Sequence, residues 1–237
     1  MSSTATKVVE TLLAAFGPQK WWPAETPFEV CVGAILAQNT SWKNVELAIG
    51  NLKRIAVAES GASSRESGEN GLTAELIVSL GLARLETVIK PAGTFRVKAK
   101  RLMRFCKWLH EEHGGSIEGL FDRAAEPLRD MLLEVQGIGP ETADAIALYA
   151  AGKETFVADS YTHRILARHG WLDWESGYDD VRGWWMDALP RDAALYNEAH
   201  ALLVKTAKEY CKARPKCDGC PLQQMLPDGG PRERERW

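Results

Sequence analysis

The 237-residue chain carries no long apolar run, no excess of positive charge and no even set of cysteines. A bilayer-spanning helix needs about 20 consecutive apolar residues, and no stretch approaches that, so no membrane partner is expected. The first residues, MSSTATKVVETLL, lack the charged-then-apolar order of a signal peptide, and a cytoplasmic location is expected. The five cysteines are unevenly placed. An odd, scattered set suits reduced thiols or metal ligands better than a disulfide framework. Period-two alternation of apolar and polar residues is missing too, which argues against strands, and no solenoid-type repeat is found.

Helical periodicity fills most of the chain. Val8, Leu12, Leu13 and Phe16 mark one amphipathic helix, and Phe28, Val32, Ile35 and Leu36 a second. Further helices are predicted over 44–57, 74–80, 82–89, 98–113, 127–135, 140–151, 161–169, 178–189 and 193–210. Residues 59–71, ESGASSRESGENG, are polar and rich in Gly and Ser, and read as a surface loop. The fold class is all-α.

The net charge is only −3, yet two segments are locally basic. Arg96, Lys98, Lys100, Arg101, Arg104 and Lys107 share one helical stretch with no acid among them. Lys205, Lys208, Lys212, Arg214 and Lys216 form the other, interrupted only by Glu209. Such runs are often solvated helix faces; a sign bias within an acidic chain also suits phosphate contacts.

The most informative string is VQGIGPETADAI at 135–146. It reads as a helix end, a GIG turn and a new helix. Gly137 and Gly139 admit backbone angles closed to other residues and allow close approach of a ligand. Pro140 suits a first helical turn. The N–H groups of that turn and the helix dipole favour an anion there. A phosphate of a nucleic-acid backbone is one such anion; a plain helix–turn–helix link without a ligand is the alternative.

This string, followed by Asp159 and Arg164 in FVADSYTHRI, resembles the helix–hairpin–helix and trailing aspartate of the endonuclease III superfamily (HhH-GPD) of DNA glycosylases. The resemblance runs from about Phe28 to Leu222. It implies two helical domains with a cleft between them: a six-helix unit containing the hairpin, at 23–152, and a domain built from 1–22 and 153–237. It implies double-stranded DNA with a flipped damaged base as partner, nucleoid association through that DNA, and a monomer. In the superfamily, the residue matching Asp159 is the carboxylate beside the sugar whose glycosidic bond breaks. A fixed carboxylate stabilises the positive charge that develops there and can orient water. Asp159 also sits where an N-cap would sit.

Bifunctional members carry a lysine two residues after the second hairpin glycine, and its amine forms a Schiff base. Here that position is Glu141, which cannot form an imine. The resemblance with this departure implies a monofunctional glycosylase, with Glu141 orienting water or serving only as a first-turn acid. The strings KWWP (20–23) and QNTSW (38–42) resemble the 3-methyladenine glycosylase branch. Trp21, Trp22, Pro23 and Trp42 are the candidate stacking box for a flipped, alkylated and cationic purine. Ordinary core packing is the reading for Trp108, Trp171, Trp174, Trp184 and Trp185. The resemblance further implies DNA contacts from Gln38 and Asn39; a helix C-cap competes for Asn39. Gln136, Gly137, Ile138, Gly139, Thr142 and Lys98 complete the candidate DNA contacts.

Cys211, Cys217 and Cys220 give C-x5-C-x2-C. Many superfamily members hold a [4Fe–4S] cluster through C-x6-C-x2-C-x5-C. Here one gap is a residue short and Leu226 stands at the fourth position. A three-thiolate cluster, a zinc site completed by a histidine such as His200, and a loop without metal remain open; no cofactor is required for the chemistry. Cys31 and Cys106 are expected to pack as small apolar residues. Beside the monofunctional glycosylase stand two alternatives: an endonuclease III-like glycosylase/lyase acting on oxidised pyrimidines, and a damage-binding module without catalysis.

Overall fold

The computed structural model describes residues 3–19, 21, 24–60 (Ser60 by its backbone alone) and 71–234. The expected loop at 59–71 therefore falls largely outside the described residues, as do Trp22 and Pro23. All regular elements among the described residues are helical, and none of these helices is long and apolar enough to cross a membrane. The chain divides into two compact units, Trp22–Lys153 and Met1–Trp21 with Glu154–Trp237.

In the first unit the helices are α2 (Pro27–Leu36), α3 (Trp42–Ser60), α4 (Ala74–Ser79), α5 (Gly81–Val88), α6 (Phe95–His113), α7 (Ala125–Glu134) and α8 (Pro140–Ala145); α1 (Thr4–Phe16) belongs to the second unit. The core is organised by α2. Thr26 caps it by accepting from the Glu29 N–H, Pro27 occupies its first turn, and Phe28 through Leu36 are all buried. A helix apolar on every side must be central, and α2 packs against α3, α6 and α8. The hairpin is the pair α7 and α8. Helix α8 was expected to run unbroken to 151; instead it widens into a π turn over Ile146–Ala150 that packs on α2.

Lys98 requires a correction. It is not a phosphate contact: its side chain is 1% exposed, and Nζ donates to the carbonyls of Leu36 (2.9 Å) and Ala92 (2.6 Å). Burial, with Arg101 adding to it, lowers its pKa to about 8. The amine bridges the otherwise unsatisfied carbonyl at the end of α2 to the turn before α6. Arg96, Lys100, Arg104 and Lys107 of α6 are exposed, and their three- and four-residue spacing puts them on one face.

In the second unit, α1 packs on α10 (Tyr178–Ala188) and α11 (Ala193–Glu209), and α9 (Ser160–Arg168) packs on both of the latter. Ser3 caps α1 and also donates to the Ala188 carbonyl at 3.0 Å. Phe156 stacks on Trp185 at 5.1 Å, with the Tyr196 edge against it. Trp185 is core, as expected of it, whereas Trp171 and Trp184 stack on each other half-buried, and His169 also stacks on Trp171.

Candidate active site and DNA interface

The hairpin turn is built from within its own unit. Gly137 has φ +106°, and a Cβ there would come within 2.5 Å of the Arg101 side chain. Its carbonyl accepts from Gln38 Nε2 (3.3 Å), which also donates to Thr142 Oγ1 (2.9 Å), while Arg101 donates to Gln38 Oε1. Gln38 and Thr142, expected as DNA contacts, thus have side chains committed to shaping the turn. The side chain of Ile138 is likewise buried, and its N–H bonds to the Val135 carbonyl. Gln136 is exposed, as is Asn39, whose φ of +53° is uncommon outside glycine.

Gly139 departs from expectation in an informative way. Its φ is −98° and a Cβ would meet nothing within 4 Å, so the fold does not require glycine there. Free space over the start of a helix is what a close-approaching phosphate needs. Two alanine variants should therefore separate. Gly137→Ala is expected to lower stability by about 1–3 kcal/mol through backbone strain. Gly139→Ala should melt within roughly 0.5 kcal/mol of the parent yet bind duplex DNA more weakly. Unchanged affinity in a titration of Gly139→Ala would remove the turn from the interface.

Asp159 uses its two carboxylate oxygens differently. Oδ1 caps α9, accepting from the Thr162 N–H (2.8 Å) and the Thr162 hydroxyl (2.9 Å). Oδ2 lies 3.6 Å from Nε2 of His200 on α11. The Asp159 side chain is 15% exposed. Burial alone would raise its pKa, but the His200 imidazole and the two Thr162 donors outweigh burial, and the net shift is downward. The carboxylate is thus held ionised at neutral pH. The capping and catalytic readings of this residue need not compete, because they concern different oxygens.

Glu141 is exposed in the first turn of α8. Trp42 is half-buried in an open groove with Glu25, Glu29 and Lys53, and its indole N–H donates to Glu46 at 3.0 Å. Trp21 belongs to the other unit, where Lys208 lies 5.8 Å over its ring. The described residues of neither unit alone therefore assemble the four-member aromatic box.

Residues 32–190 match the model of the HhH-GPD superfamily of base excision DNA repair proteins. The chain belongs to that superfamily. It is 41% identical over 220 residues to a Methanocaldococcus jannaschii protein provisionally named a DNA repair glycosylase, covering 92% of this chain and 94% of that one. It is 26% identical to endonuclease III of Bacillus subtilis over 67% of this chain and 68% of the relative. Among solved structures it is similar to H. pylori 3-methyladenine DNA glycosylase bound to 1,N6-ethenoadenine (TM-score 0.71, 26% identity, 86% of this chain and 97% of that one). An endonuclease III–DNA complex shares the fold at a TM-score of 0.74 and 20% identity, covering 96% and 97% of the two chains.

The cysteine loop of this HhH-GPD protein does not supply the four thiolates of a cluster. Cys211, Cys217 and Cys220 line one apolar cavity with Leu226 and His169, and a leucine cannot ligate. Among the described residues no three His, Cys, Asp or Glu are placed to hold a metal ion. Cationic donors contact the loop. Arg168 donates to Cys211 Sγ (3.3 Å) and to the carbonyls of Lys212 (2.6 Å) and Ala213 (2.8 Å), and Arg164 donates to the Cys211 carbonyl (2.7 Å). Burial raises the thiol pKa values of Cys217 and Cys220, with neighbouring sulfurs of the trio adding to it. His200, considered above as a zinc ligand, is not part of this cavity; it faces Asp159.

Two residues, Asp144 and Arg168, were not singled out in the sequence, and His200 was considered there only as a metal ligand. Asp144, fully buried, pairs with Arg129 at 3.1 Å and ties α8 to α7. An acid within a helical apolar pattern was the available signal. His200 and Arg168 gave no local signal, since their partners lie 41 and 43 positions away in sequence.

Proposed function

We propose that this DNA repair glycosylase is monofunctional and releases an alkylated purine, such as 3-methyladenine, from double-stranded DNA by attack of water. The observation that carries the reading is the partition of Asp159: one oxygen is fixed by the helix start, the other is not used by the cap and lies beside His200, and the carboxylate is held ionised. In this mechanism the hairpin grips the backbone without reading sequence, and the damaged nucleotide is extruded. The bond from C1′ to the base nitrogen breaks, and the base leaves with the electron pair. Asp159 offsets the positive charge on the sugar. Water then adds to C1′ and its proton passes through the carboxylate to solvent, leaving an abasic site. A cationic alkylpurine leaves as a neutral base, so no strong acid catalyst is needed.

Two features support the cationic substrate. Trp42 offers a π face, and Glu46 on its indole N–H, with Glu25 and Glu29 against the single Lys53, makes that groove electronegative. The similarity to a 3-methyladenine glycosylase at 26% identity points the same way. Trp21, Trp22 and Pro23 enter the proposal only through the resemblance of the KWWP string to the 3-methyladenine glycosylase branch. Glu141, standing where bifunctional relatives of endonuclease III type hold lysine, supports hydrolysis over lyase chemistry.

An excision panel of duplexes carrying alkylated purines, oxidised pyrimidines and mismatches, run with and without borohydride, tests this reading. Release of alkylated purine with no borohydride-trapped protein–DNA adduct is expected. A trapped adduct would establish the bifunctional endonuclease III-like alternative, and binding without release of any base the non-catalytic one.

A further inference from the structure

We infer that His200 is a positioning residue for Asp159, aiming the carboxylate oxygen that helix capping leaves uncommitted. The inference rests on the catalytic reading of Asp159 and extends it to a residue 41 positions further along the chain. Both belong to the same compact unit.

The geometry has three parts. First, Oδ1 is fully engaged by two donors from Thr162, so the carboxylate cannot rotate without breaking the start of α9. Second, Oδ2 then has one direction to face, and His200 Nε2 lies there at 3.6 Å. That distance is long for a hydrogen bond but within ion-pair range, and catalytic contacts commonly tighten once substrate is bound. Third, the imidazole is itself held. It is 5% exposed, and the Phe156 ring, stacked on Trp185, meets its edge at 6.4 Å and 86°. Around the pair, α9 contributes the Thr162 hydroxyl, and α10 brings the Tyr178 phenol to within 3.4 Å of the Ala158 N–H.

A largely buried carboxylate with only the Thr162 donors would lose part of what keeps it ionised. Removing His200 should raise the Asp159 pKa, because the neighbour that favours the charged form is gone while burial remains. The acid limb of the rate profile should then move to higher pH.

The experiment measures single-turnover release of an alkylated purine against pH for the full chain and for His200→Phe, His200→Gln and Asp159→Asn. Thermal melts and binding to an abasic-site duplex run alongside. Phe keeps bulk and planarity but no donor; Gln places an N–H donor near the former Nε2. The expected result is a loss of roughly tenfold in rate for Phe, with recovery to within about threefold by Gln, DNA affinity unchanged, and an acid limb shifted upward for Phe. A folded Phe variant with parental rate and limb overturns the inference, as does one that is slow with an unmoved limb and no rescue by Gln. Should the Phe variant fail to fold, Gln decides: a folded Gln variant as inactive as Asp159→Asn overturns it, and one near the parental rate sustains it. If Asp159→Asn itself releases base at the parental rate, the underlying catalytic reading fails, whichever way the His200 variants behave.

Discussion

Asp159→Asn is expected to slow base release by roughly a thousandfold, the scale seen when a preorganised group that stabilises developing charge is removed, or about 4 kcal/mol in the barrier. The substitution tests chemistry with little disturbance of the fold. Asparagine caps helices about as well as aspartate, and its Oδ1 can take over both Thr162 donors. Melting temperature and affinity for an abasic duplex should therefore stay near the parental values while release collapses. The pH dependence of the parent protein follows from the same geometry. Because the Asp159 pKa lies below the ordinary carboxylate value, the rate should hold across neutral pH and fall only as the pH drops below the usual carboxylate range. Single-turnover rates over an acid series measure this. A midpoint near neutrality would mean that a different group titrates.

The second large effect concerns stability. Asp144→Ala should cost roughly 3–5 kcal/mol, because it removes the carboxylate that pairs with a buried guanidinium. Asp144 is 0% exposed and Arg129 9% exposed, with Nε to Oδ2 at 3.1 Å. Replacing both by leucine should recover much of the loss, since buried ion pairs contribute little beyond what apolar packing can supply. Urea unfolding of the full chain, followed by helical signal, measures both variants. A single variant within about 1 kcal/mol of the parent would show that the pair does not hold α7 to α8; that margin is what surface substitutions commonly give.

The contrast between Asp144 and Asp159 shows what could be read in advance. The helices around Phe28–Leu36 and Ala193–Tyr210 announced themselves through apolar residues at three- and four-residue spacing, although Phe28–Leu36 proves buried on every side. The GIG turn and Asp159 were legible because local geometry and a short motif specify them. Lys98 was misread for the opposite reason. A lysine in a basic run looks like surface, and only the packing of α6 on α2 turns its amine inward to two carbonyls. Gly139 was credited with a backbone need that belongs to Gly137 alone. His200 and Arg168 act through partners more than 40 positions away, a distance at which no pattern in one sequence links them. The cysteine trio was seen as incomplete, but the arginine that contacts its loop was not seen.

Tying one carboxylate oxygen to the start of α9 has a consequence for how this chain can vary. Adding or deleting a single residue between 159 and 162 would turn the acid about 100° around the helix axis and unseat its cap together with its aim. Length in this segment is thus more constrained than side-chain identity at its middle positions, Ser160 and Tyr161. The same tether denies the acid alternative rotamers, so warming the protein should blunt its aim only when the first turn of that helix frays.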